Sequence, residues 1–336
     1  MRTKIVYILT SDESDTILEQ ALISVYSLHK HNPDANVILV VDEDTNASLV
    51  DKRSQIIQYV NEIVQVSVPI EYSKIQRSRF IKTSLRELIS GDFFYIDVDT
   101  VVIGDLSFVD YIQDDIAMAY DANTPYPIGN ADSKGDSYIN KYSQIMCWGS
   151  FKGQFHYNSG VVFAKDSDSA RKLYKKWHEL WFECCKCGVF IDELALTRAN
   201  KEIGGIIHRL DDIFNWQIKR HGSDRPEGTL VLHYLTSDKQ LSSFVLSQND
   251  LHLQIKEKGL ITNIVKYYLD NIDQAFENLT YVVTEEEYNL LNVAKNSPVI
   301  QIRKIHPTIF LFLNASILAI RNFKASFTKK VSIFSH

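Results

Sequence analysis

Apolar segments of strand length alternate with segments of helical spacing over the first hundred residues, and this alternation limits the folds open to the chain. The apolar segments lie at residues 4–9, 37–41, 62–68 and 93–96. The segments between them, at 17–31, 47–59 and 80–89, have the spacing of helices. Strands that are apolar on both faces are typical of a parallel sheet covered by helices on both sides. We therefore predict an α/β fold with a mainly parallel sheet flanked by helices.

The pattern changes after the first hundred residues. Residues 105–150 are rich in Tyr, Asp, Asn, Gly and Pro, so we expect a loop-rich excursion that covers the binding edge of the sheet. A strand at 161–164, a helix at 171–185 and a short strand at 230–234 follow. Helical patterns dominate from about residue 241. We predict one domain over residues 1–240 and a helical C-terminal region over 241–336.

Charge is distributed unevenly along the chain. The formal net charge of −6 gives no general attraction to nucleic acid, so we expect no nucleic-acid partner. No Asp or Glu follows Glu287, whereas seven Lys and Arg residues do. Residues 306–330 combine four of these basic residues with apolar and aromatic residues, which favours a helix lying on an anionic membrane surface. Packing on the core or an oligomer contact is the alternative for this tail.

The N-terminal segment lacks the features of a secretion signal. Its apolar run is shorter than a signal core, and no stretch of the chain is long enough to span a bilayer. We therefore expect a cytoplasmic protein.

Acidic residues follow two of the predicted strands. Thr10-Ser11-Asp12 comes after the first strand, and Asp97-Val98-Asp99 comes after the fourth. Ligands of open parallel sheets bind beyond the carboxyl ends of the strands. Two carboxylates separated by one residue repel each other, and a bound divalent cation relieves that repulsion. The motif thus indicates a metal site, with a turn carrying two exposed acids as the alternative.

The surroundings of this motif resemble a known family. Arg79-Phe80, residues 93–102 and Gly104-Asp105-Leu106 are similar to the metal-site signature of family 8 glycosyltransferases, which are retaining enzymes of the GT-A fold. Further blocks follow in the family's order over residues 1–240. They are the opening strand with the 21–27 helix, the "NSG" strand at 157–163, the "DQ-x-x-L" segment at 192–196, the "FNW" segment at 210–216, and the late histidine His233.

The resemblance implies a role for individual residues. Asp97, Asp99 and His233 would hold Mn²⁺ or Mg²⁺ between the phosphates of a UDP-sugar, and the imidazole favours Mn²⁺. Arg79 and Asn158 would hold the hydroxyls of the donor sugar, with Arg77 as an alternative to Arg79. The rest of the implied donor-binding set is Leu9, Thr10 and Asp12, which would flank the uracil and the ribose, together with Val98.

Two departures from the family pattern affect the predicted chemistry. Asp192 and Glu193 are the candidate catalytic residues, but Glu193 stands where the family has glutamine. A carboxylate there would stabilise an oxocarbenium-like transition state or attack it, or would lie on a helix surface. The family's glycine and lysine-proline-tryptophan are also missing after His233, and Lys239 is the residue left to reach the diphosphate as a point charge.

The resemblance therefore implies metal-dependent, retaining transfer of glucose or galactose from a UDP-sugar to a glycan or lipid-linked acceptor during surface polysaccharide synthesis. In bacterial members of the family, such a tail implies a peripheral position on the inner face of the membrane. One alternative is a haloacid-dehalogenase-type phosphatase with Asp97 as nucleophile and Asp211-Asp212 as its late acidic pair. A non-catalytic protein that binds nucleotide-sugars is the other.

Overall fold

The central layer of the computed structural model is a mixed β-sheet. The model describes residues 1–129, 136–218, 224–235 and 244–276. Within these residues the sheet has the strand order β3-β2-β1-β4-β7-β6-β8, and among its strands only β7 runs antiparallel to its neighbours. Its strands are β1 (Lys4–Leu9), β2 (Val37–Asp42), β3 (Glu62–Val66), β4 (Phe93–Ile96), β6 (Ile116–Tyr120), β7 (Tyr157–Ala164) and β8 (Ile207–Arg209).

Helices cover both faces of this sheet. Ile5, Tyr7 and Leu9 of β1 belong to one core layer, together with the helix at Ile17–His31 and the helices that follow residue 248. Val6 and Ile8 belong to a second layer, with the helices at Lys74–Leu88, Asp168–Lys186 and Asp192–Glu202. The predicted α/β fold is therefore confirmed. The described helices are α1 (Ile17–His31), α2 (Glu43–Ser48), α3 (Lys74–Leu88), α4 (Asp136–Ile145), α5 (Asp168–Lys186), α6 (Asp192–Glu202), α7 (Asn249–Lys258) and α8 (Asn263–Asp270).

A second, three-stranded sheet carries the late histidine to the binding edge. It consists of β5 (Thr100–Val102), β10 (Val231–His233) and β9 (Trp216–Gln217), in that order. Only Asp97, Val98 and Asp99 separate β4 of the large sheet from β5 of the small one. Because His233 lies directly opposite Thr100 in the antiparallel β5–β10 pair, the fold brings it beside Asp99.

The described residues after 243 belong with the preceding ones. All described residues lie in one compact unit, Met1–Leu279. Helices α7 and α8 contact α1 and the loop before it, where Lys256 Nζ donates to the carbonyl of Asp15 at 2.7 Å and Lys30 pairs with Asp270 at 2.6 Å. No helix of the described residues is long and apolar enough to cross a bilayer. The boundary predicted at residue 240 stays a prediction, and the tail at 306–330 lies outside the described residues.

The structure differs from the sequence prediction in the middle of the chain. Residues 105–150 were predicted as a loop-rich excursion, but they contain β6 of the central sheet and α4. Strand β6 is buried on both faces. It was not predicted because its short apolar run, Ile116–Tyr120, lies among polar residues. The helix predicted at 47–59 is divided into α2 and a 3-10 helix at Asp51–Tyr59.

Helix α3 begins six residues earlier than predicted because of its N-cap. Ser73 accepts a hydrogen bond from the backbone of Gln76, and the Gln76 side chain accepts one from the backbone of Ser73. This reciprocal capping box satisfies two backbone donors that would otherwise lack partners. The six extra residues include Lys74 and Arg79, two basic residues that line the binding edge of the sheet.

The cap can be tested by substitution. Ser73→Ala should lower the free energy of unfolding by about 1 kcal/mol, because it removes the side-chain acceptor at the helix N-terminus. Urea unfolding followed by circular dichroism measures the change. Ser73→Asp retains an acceptor and adds a favourable charge at the helix N-terminus, so it should be as stable as the wild type. Equal destabilisation by both variants would contradict a capping role.

Candidate functional site

A cleft lies where the carboxyl ends of β1 and β4 meet the start of β7. Its volume is about 400 Å³. The sheet order places β1 and α1 on one side of the Asp97–Asp99 turn and β7 with α6 on the other. Eight of the predicted site residues line this cleft: Thr10, Arg79, Asp97, Val98, Asp99, Asn158, Glu193 and His233.

Asp97, Asp99 and His233 form the centre of the cleft. Their potential ligand atoms all lie within 4.8 Å of one another, and among the described residues this is the group of acidic, histidine or cysteine side chains arranged to hold a metal ion. His233 Nε2 is 3.2 Å from Asp99 Oδ1, close to the roughly 3 Å that separates adjacent ligands around one six-coordinate ion at about 2.1 Å. Two carboxylates and an imidazole therefore fit a divalent metal in both chemistry and spacing.

Gly160 leaves room for this cluster. A Cβ atom at this position would lie 2.3 Å from Cε1 of His233 and 2.8 Å from Oδ2 of Asp97. The carbonyl of Gly160 also accepts the backbone N–H of Asp97 at 2.7 Å. Steric crowding thus explains why the "NSG" segment has a glycine here, since any side chain would displace two of the three candidate ligands.

Lys82 is a cation at the centre of the site that the sequence analysis missed. Its side chain is 1% exposed, and Nζ lies 3.0 Å from Oδ1 of Asp97 and 3.2 Å from Oδ2. The hydroxyl of Tyr95 donates to Asp97 as well. The sequence did contain a signal for this residue, because Lys82 lies beside Ile81 and Leu85 on the buried face of α3. A buried lysine requires a partner.

Arg79 and Asp192 form an ion pair on the β7 side of the cleft. Arg79 Nε lies 2.8 Å from Asp192 Oδ1, and Ser159 Oγ donates to Asp192 Oδ2 at 2.7 Å. Burial acts to raise the pKa of Asp192, but Arg79, Lys82 and Ser159 together hold the pKa below its usual value. Asp192 is 2% exposed while Arg79 is 32% exposed, so the carboxylate orients the guanidinium and the guanidinium faces the cleft.

The alternative arginine is engaged elsewhere. Arg77 Nη1 pairs with Asp42 at 3.0 Å and with Asp44 at 2.7 Å. Arg77 does not line the cleft, whereas Arg79 does. The nitrogens of Arg79 other than Nε have no protein partner among the described residues, which leaves their donors for a ligand.

Glu193 lies beside this ion pair in the first turn of α6. It is partly buried, and the hydroxyl of Tyr138 donates to its Oε2 at 3.2 Å. Burial, and then the charges of Asp192 and Asp121, raise the pKa of Glu193 to about 8, against the smaller opposing effect of Arg79 and Lys82. The group is therefore protonated at neutral pH, where it both donates and accepts hydrogen bonds as a glutamine amide does.

The predicted nucleotide-binding residues have different surroundings. Thr10 and Val98 line the cleft, whereas the side chain of Leu9 lies in the hydrophobic core and Ile8 faces the cleft instead. Asp12 lies outside the cleft lining and pairs with Lys74 at 2.7 Å, and the bonds from Lys74 and Ser14 lower the pKa of Asp12. Lys239 lies outside the described residues.

The sequence analysis also missed polar residues on the β1 side of the cleft. Gln20 of α1 and Lys74 of α3 both line it. Gln20 is 8% exposed, and its amide makes no hydrogen bond among the described residues. Ile8, Ile17 and Ile75 form the apolar walls around them. This side therefore suits a flat, partly apolar group, whereas the β7 side is polar.

Comparison with solved structures gives similar proteins at low identity. They include the galactosyltransferase LgtC in complex with donor and acceptor sugar analogues, with a TM-score of 0.48, 15% identity, and 77% of this chain and 97% of that chain covered. Mouse xyloside xylosyltransferase 1 gives a TM-score of 0.46, 13% identity, and coverage of 69% and 97%. The glycosyltransferase GlyE of Streptococcus pneumoniae TIGR4 gives 0.47, 16%, and coverage of 87% and 74%. No protein-family model and no curated protein matched the chain.

The charge of Lys82 should oppose metal binding in the absence of nucleotide. Lys82→Met removes an ammonium group 3.0 Å from Asp97 Oδ1, so nucleotide-free protein should bind Mn²⁺ roughly tenfold more tightly. Electron paramagnetic resonance of unbound Mn²⁺ measures the affinity. Lys82→Arg keeps the charge and should bind like the wild type. Unchanged or weaker binding by Lys82→Met would mean that Lys82 supports the ligand geometry and does not oppose the ion.

The raised pKa of Glu193 predicts a pH-dependent stability. Ionising Glu193 in the folded protein is unfavourable, so the wild type should lose stability relative to Glu193→Gln as the pH rises from about 4.5 to above 8. Melting temperatures at pH 5, 7 and 9 measure this difference, which should grow by at least a few degrees. Glu202→Gln, on the same helix, removes a carboxyl whose pKa is lowered mainly by Arg198 and Lys176. Its difference from the wild type should stay constant over pH 6–9.

Proposed function

We propose that this protein is a glycosyltransferase that transfers a hexose from a UDP-sugar with the help of a divalent metal ion. The observation that carries the proposal is the meeting of Asp97, Asp99 and His233 in one cleft, with the Arg79–Asp192 pair beside them. A metal cluster flanked by a polar side and an apolar side matches a donor made of diphosphate, sugar and nucleoside. The predicted site residues that line the cleft all have a place in this assignment.

Mn²⁺ suits the ligand set best, with Mg²⁺ as the alternative, because imidazole is a better ligand for Mn²⁺ than for Mg²⁺. Asp97, Asp99 and His233 would hold the ion, which would neutralise the charge that develops on the departing diphosphate. The chain adds its own cation, since Lys82 lines the same cleft. The negative cluster and the buried ammonium together favour a ligand that brings both a divalent cation and an anion.

Arg79 binds the sugar hydroxyls in this proposal. Its guanidinium is planar and is held at Nε by Asp192, so its other N–H groups are oriented before the donor arrives. Asp192 acts through Arg79, because both of its oxygens already have partners. Asn158 lines the same side of the cleft.

Glu193 contributes hydrogen bonds and does not act as a nucleophile. A carboxylic acid that keeps its proton at neutral pH is a poor nucleophile, and its pKa of about 8 keeps Glu193 in that form. Transfer on the front face of the sugar, in which the departing phosphate takes the acceptor's proton, needs no protein nucleophile. The retained stereochemistry predicted from the sequence follows from that route.

The acceptor and the cellular location also belong to the proposal. We place the protein in the cytoplasm, with the basic segment at 306–330 on the inner face of a bacterial membrane. This location suits a lipid-linked glycan as acceptor and surface polysaccharide synthesis as the process. The support is the sequence pattern of that segment, which has no acidic residue and holds four of the seven basic residues that follow Glu287.

The geometry disfavours the phosphatase alternative. Asp211 and Asp212, its late acidic pair, do not line the cleft. Asp211 caps a 3-10 helix through the backbone of Ile213, and Asp212 binds Arg209 at 2.7 Å. A phosphatase of this kind also has no use for His233 beside Asp99.

Calorimetric titration with UDP, with and without Mn²⁺, tests the donor site. The wild type should bind UDP only with the metal, and Asp97→Asn/Asp99→Asn should lose at least a hundredfold in affinity because two ligand charges are gone. Asp211→Asn/Asp212→Asn is the matched control and should bind like the wild type. Hydrolysis of UDP-glucose and UDP-galactose then distinguishes an enzyme from a binding protein.

Three outcomes would overturn the proposal. Failure of the folded wild type to bind UDP in the presence of Mn²⁺ would remove the nucleotide-sugar donor. Phosphatase activity that requires both the Asp97/Asp99 pair and the Asp211/Asp212 pair would instead establish the alternative enzyme. Metal-dependent UDP binding without turnover of any UDP-hexose, with glycan acceptors present, would favour the non-catalytic binding protein.

A further inference from the structure

The metal-binding nitrogen of His233 depends on a chain of buried amides behind it. We propose that Asn215, itself oriented by Asn158 and Asp121, holds His233 in the tautomer with the proton on Nδ1 and the lone pair on Nε2. The inference rests on the metal site in the proposed function. It makes Asn215 a positioning residue, which acts on the metal only through the imidazole.

The contacts run in one line away from the cluster. His233 Nδ1 lies 3.0 Å from Oδ1 of Asn215, and Asn215 Nδ2 lies 3.0 Å from Oδ1 of Asn158. His233 is 1% exposed, Asn215 0% and Asn158 3%. Water therefore has little access to these groups, and each of them depends on its neighbour for a hydrogen bond.

The hydrogen bonds of the Asn158 side chain, at the end of this series of amides, have a fixed direction. The backbone N–H of Gly160 donates to Asn158 Oδ1 at 3.1 Å, and a backbone amide cannot reverse. On the other side, Asn158 Nδ2 donates to a carboxylate oxygen of Asp121 at 3.3 Å. An ionised carboxylate only accepts hydrogen bonds. One fixed donor and one fixed acceptor thus determine which end of the Asn158 amide is oxygen.

A neighbouring glutamine supports the same direction. Gln217 Oε1 accepts the backbone N–H of Ala122 at 2.8 Å, and its Nε2 donates to the carbonyl of Tyr120 at 2.9 Å. Its oxygen, whose orientation is set by these two backbone groups, lies 3.5 Å from Asn158 Nδ2. Turning the Asn158 amide over would place two oxygens, and separately two N–H groups, against each other.

The orientation of the Asn158 amide determines the orientation of the Asn215 amide and, through it, the tautomer of His233. Because Asn158 presents oxygen to Asn215, the nitrogen of Asn215 must face it as donor. The Asn215 oxygen is therefore the atom next to His233 Nδ1, and only a protonated Nδ1 can donate to it. Neutral imidazole carries a single N–H, so Nε2 is left with its lone pair. Nε2 is the nitrogen 3.2 Å from Asp99 Oδ1, on the side of the other two ligands.

Partners that orient metal-binding histidines in this way typically contribute about 10- to 100-fold to metal affinity. Asn215→Ala removes the acceptor, so Mn²⁺ affinity measured by paramagnetic resonance in the presence of UDP should fall by about 10- to 100-fold. Asn215→Asp keeps an acceptor for Nδ1–H and is the conservative control. It loses the N–H that Asn158 Oδ1 accepts, so it should recover part of the affinity lost by Asn215→Ala.

The tautomer itself is observable without metal, nucleotide or turnover in an Asp99→Ala background, which removes the carboxylate that accepts a hydrogen bond from a protonated Nε2 when no ion is bound. Two-bond ¹H–¹⁵N spectra of histidine-labelled protein at alkaline pH distinguish a protonated nitrogen from a bare one, and His233→Gln identifies the His233 signals. Asp99→Ala alone and Asp99→Ala/Asn215→Asp should show the proton on Nδ1. Asp99→Ala/Asn215→Ala should show a mixture of both tautomers, which a loss of stability alone would not produce.

The result separates this inference from the proposed function. A proton on Nε2 in Asp99→Ala, or a tautomer that Asn215→Ala leaves unchanged in that background together with an unchanged Mn²⁺ affinity, would overturn the positioning role. If the tautomer and the Mn²⁺ affinity change as expected but no UDP-hexose is used, the positioning role stands and the proposed activity fails.

Discussion

Three residues between two sheets determine where everything else in this site lies. Asp97 is bound to the large sheet, since its N–H donates to the Gly160 carbonyl at 2.7 Å, and Asp99 is bound to the small sheet, since its carbonyl accepts from Tyr234 N–H at 3.0 Å. The backbone thus has little freedom at a point where two carboxylates face the same space. Their repulsion is a cost that the fold imposes, and a cation relieves it. The surrounding residues are best understood as responses to this constraint.

Charge balance explains which residues surround the turn. Lys82 contacts both oxygens of Asp97, and Arg79 pairs with Asp192. Each of these two cations neutralises one carboxylate. Glu193 adds no further negative charge because its raised pKa indicates that it keeps its proton. Asp99 and the imidazole of His233 complete the candidate metal cluster. Because two acidic groups of the cleft already have cationic partners, the proposed function expects a bare divalent ion to bind less well than an ion that arrives with a diphosphate.

Sequence patterns predicted much of the fold and the carboxylate pair at its edge, because both depend on local signals, whereas His233 was predicted only from the family resemblance. The apolar alternation gave α1 with its observed ends, and β1 and β4 likewise, and the spacing of Asp97 and Asp99 indicated the carboxylate pair. Strand β6 and the start of α3 were missed, since one is a short run among polar residues and the other depends on a cap. Contacts between distant segments were also missed. Lys82 lies 15 residues before Asp97 and Asn215 lies 18 before His233, and no local pattern shows that either pair meets.

Glu193 stands where the resembled family has glutamine, and its environment favours a side chain that is as uncharged as that amide. Glutamine offers one donor group and one acceptor without charge, and a protonated glutamate offers the same. The carboxylates of Asp192 and Asp121 and the burial of the site disfavour ionisation, and thereby raise the pKa of Glu193 to about 8. Tyr138 donates to Oε2, which leaves the other oxygen for a ligand. Because Asp192 pairs with Arg79 and Asp121 accepts from Asn158, the same acidic neighbours of Glu193 also orient two polar side chains that line the cleft.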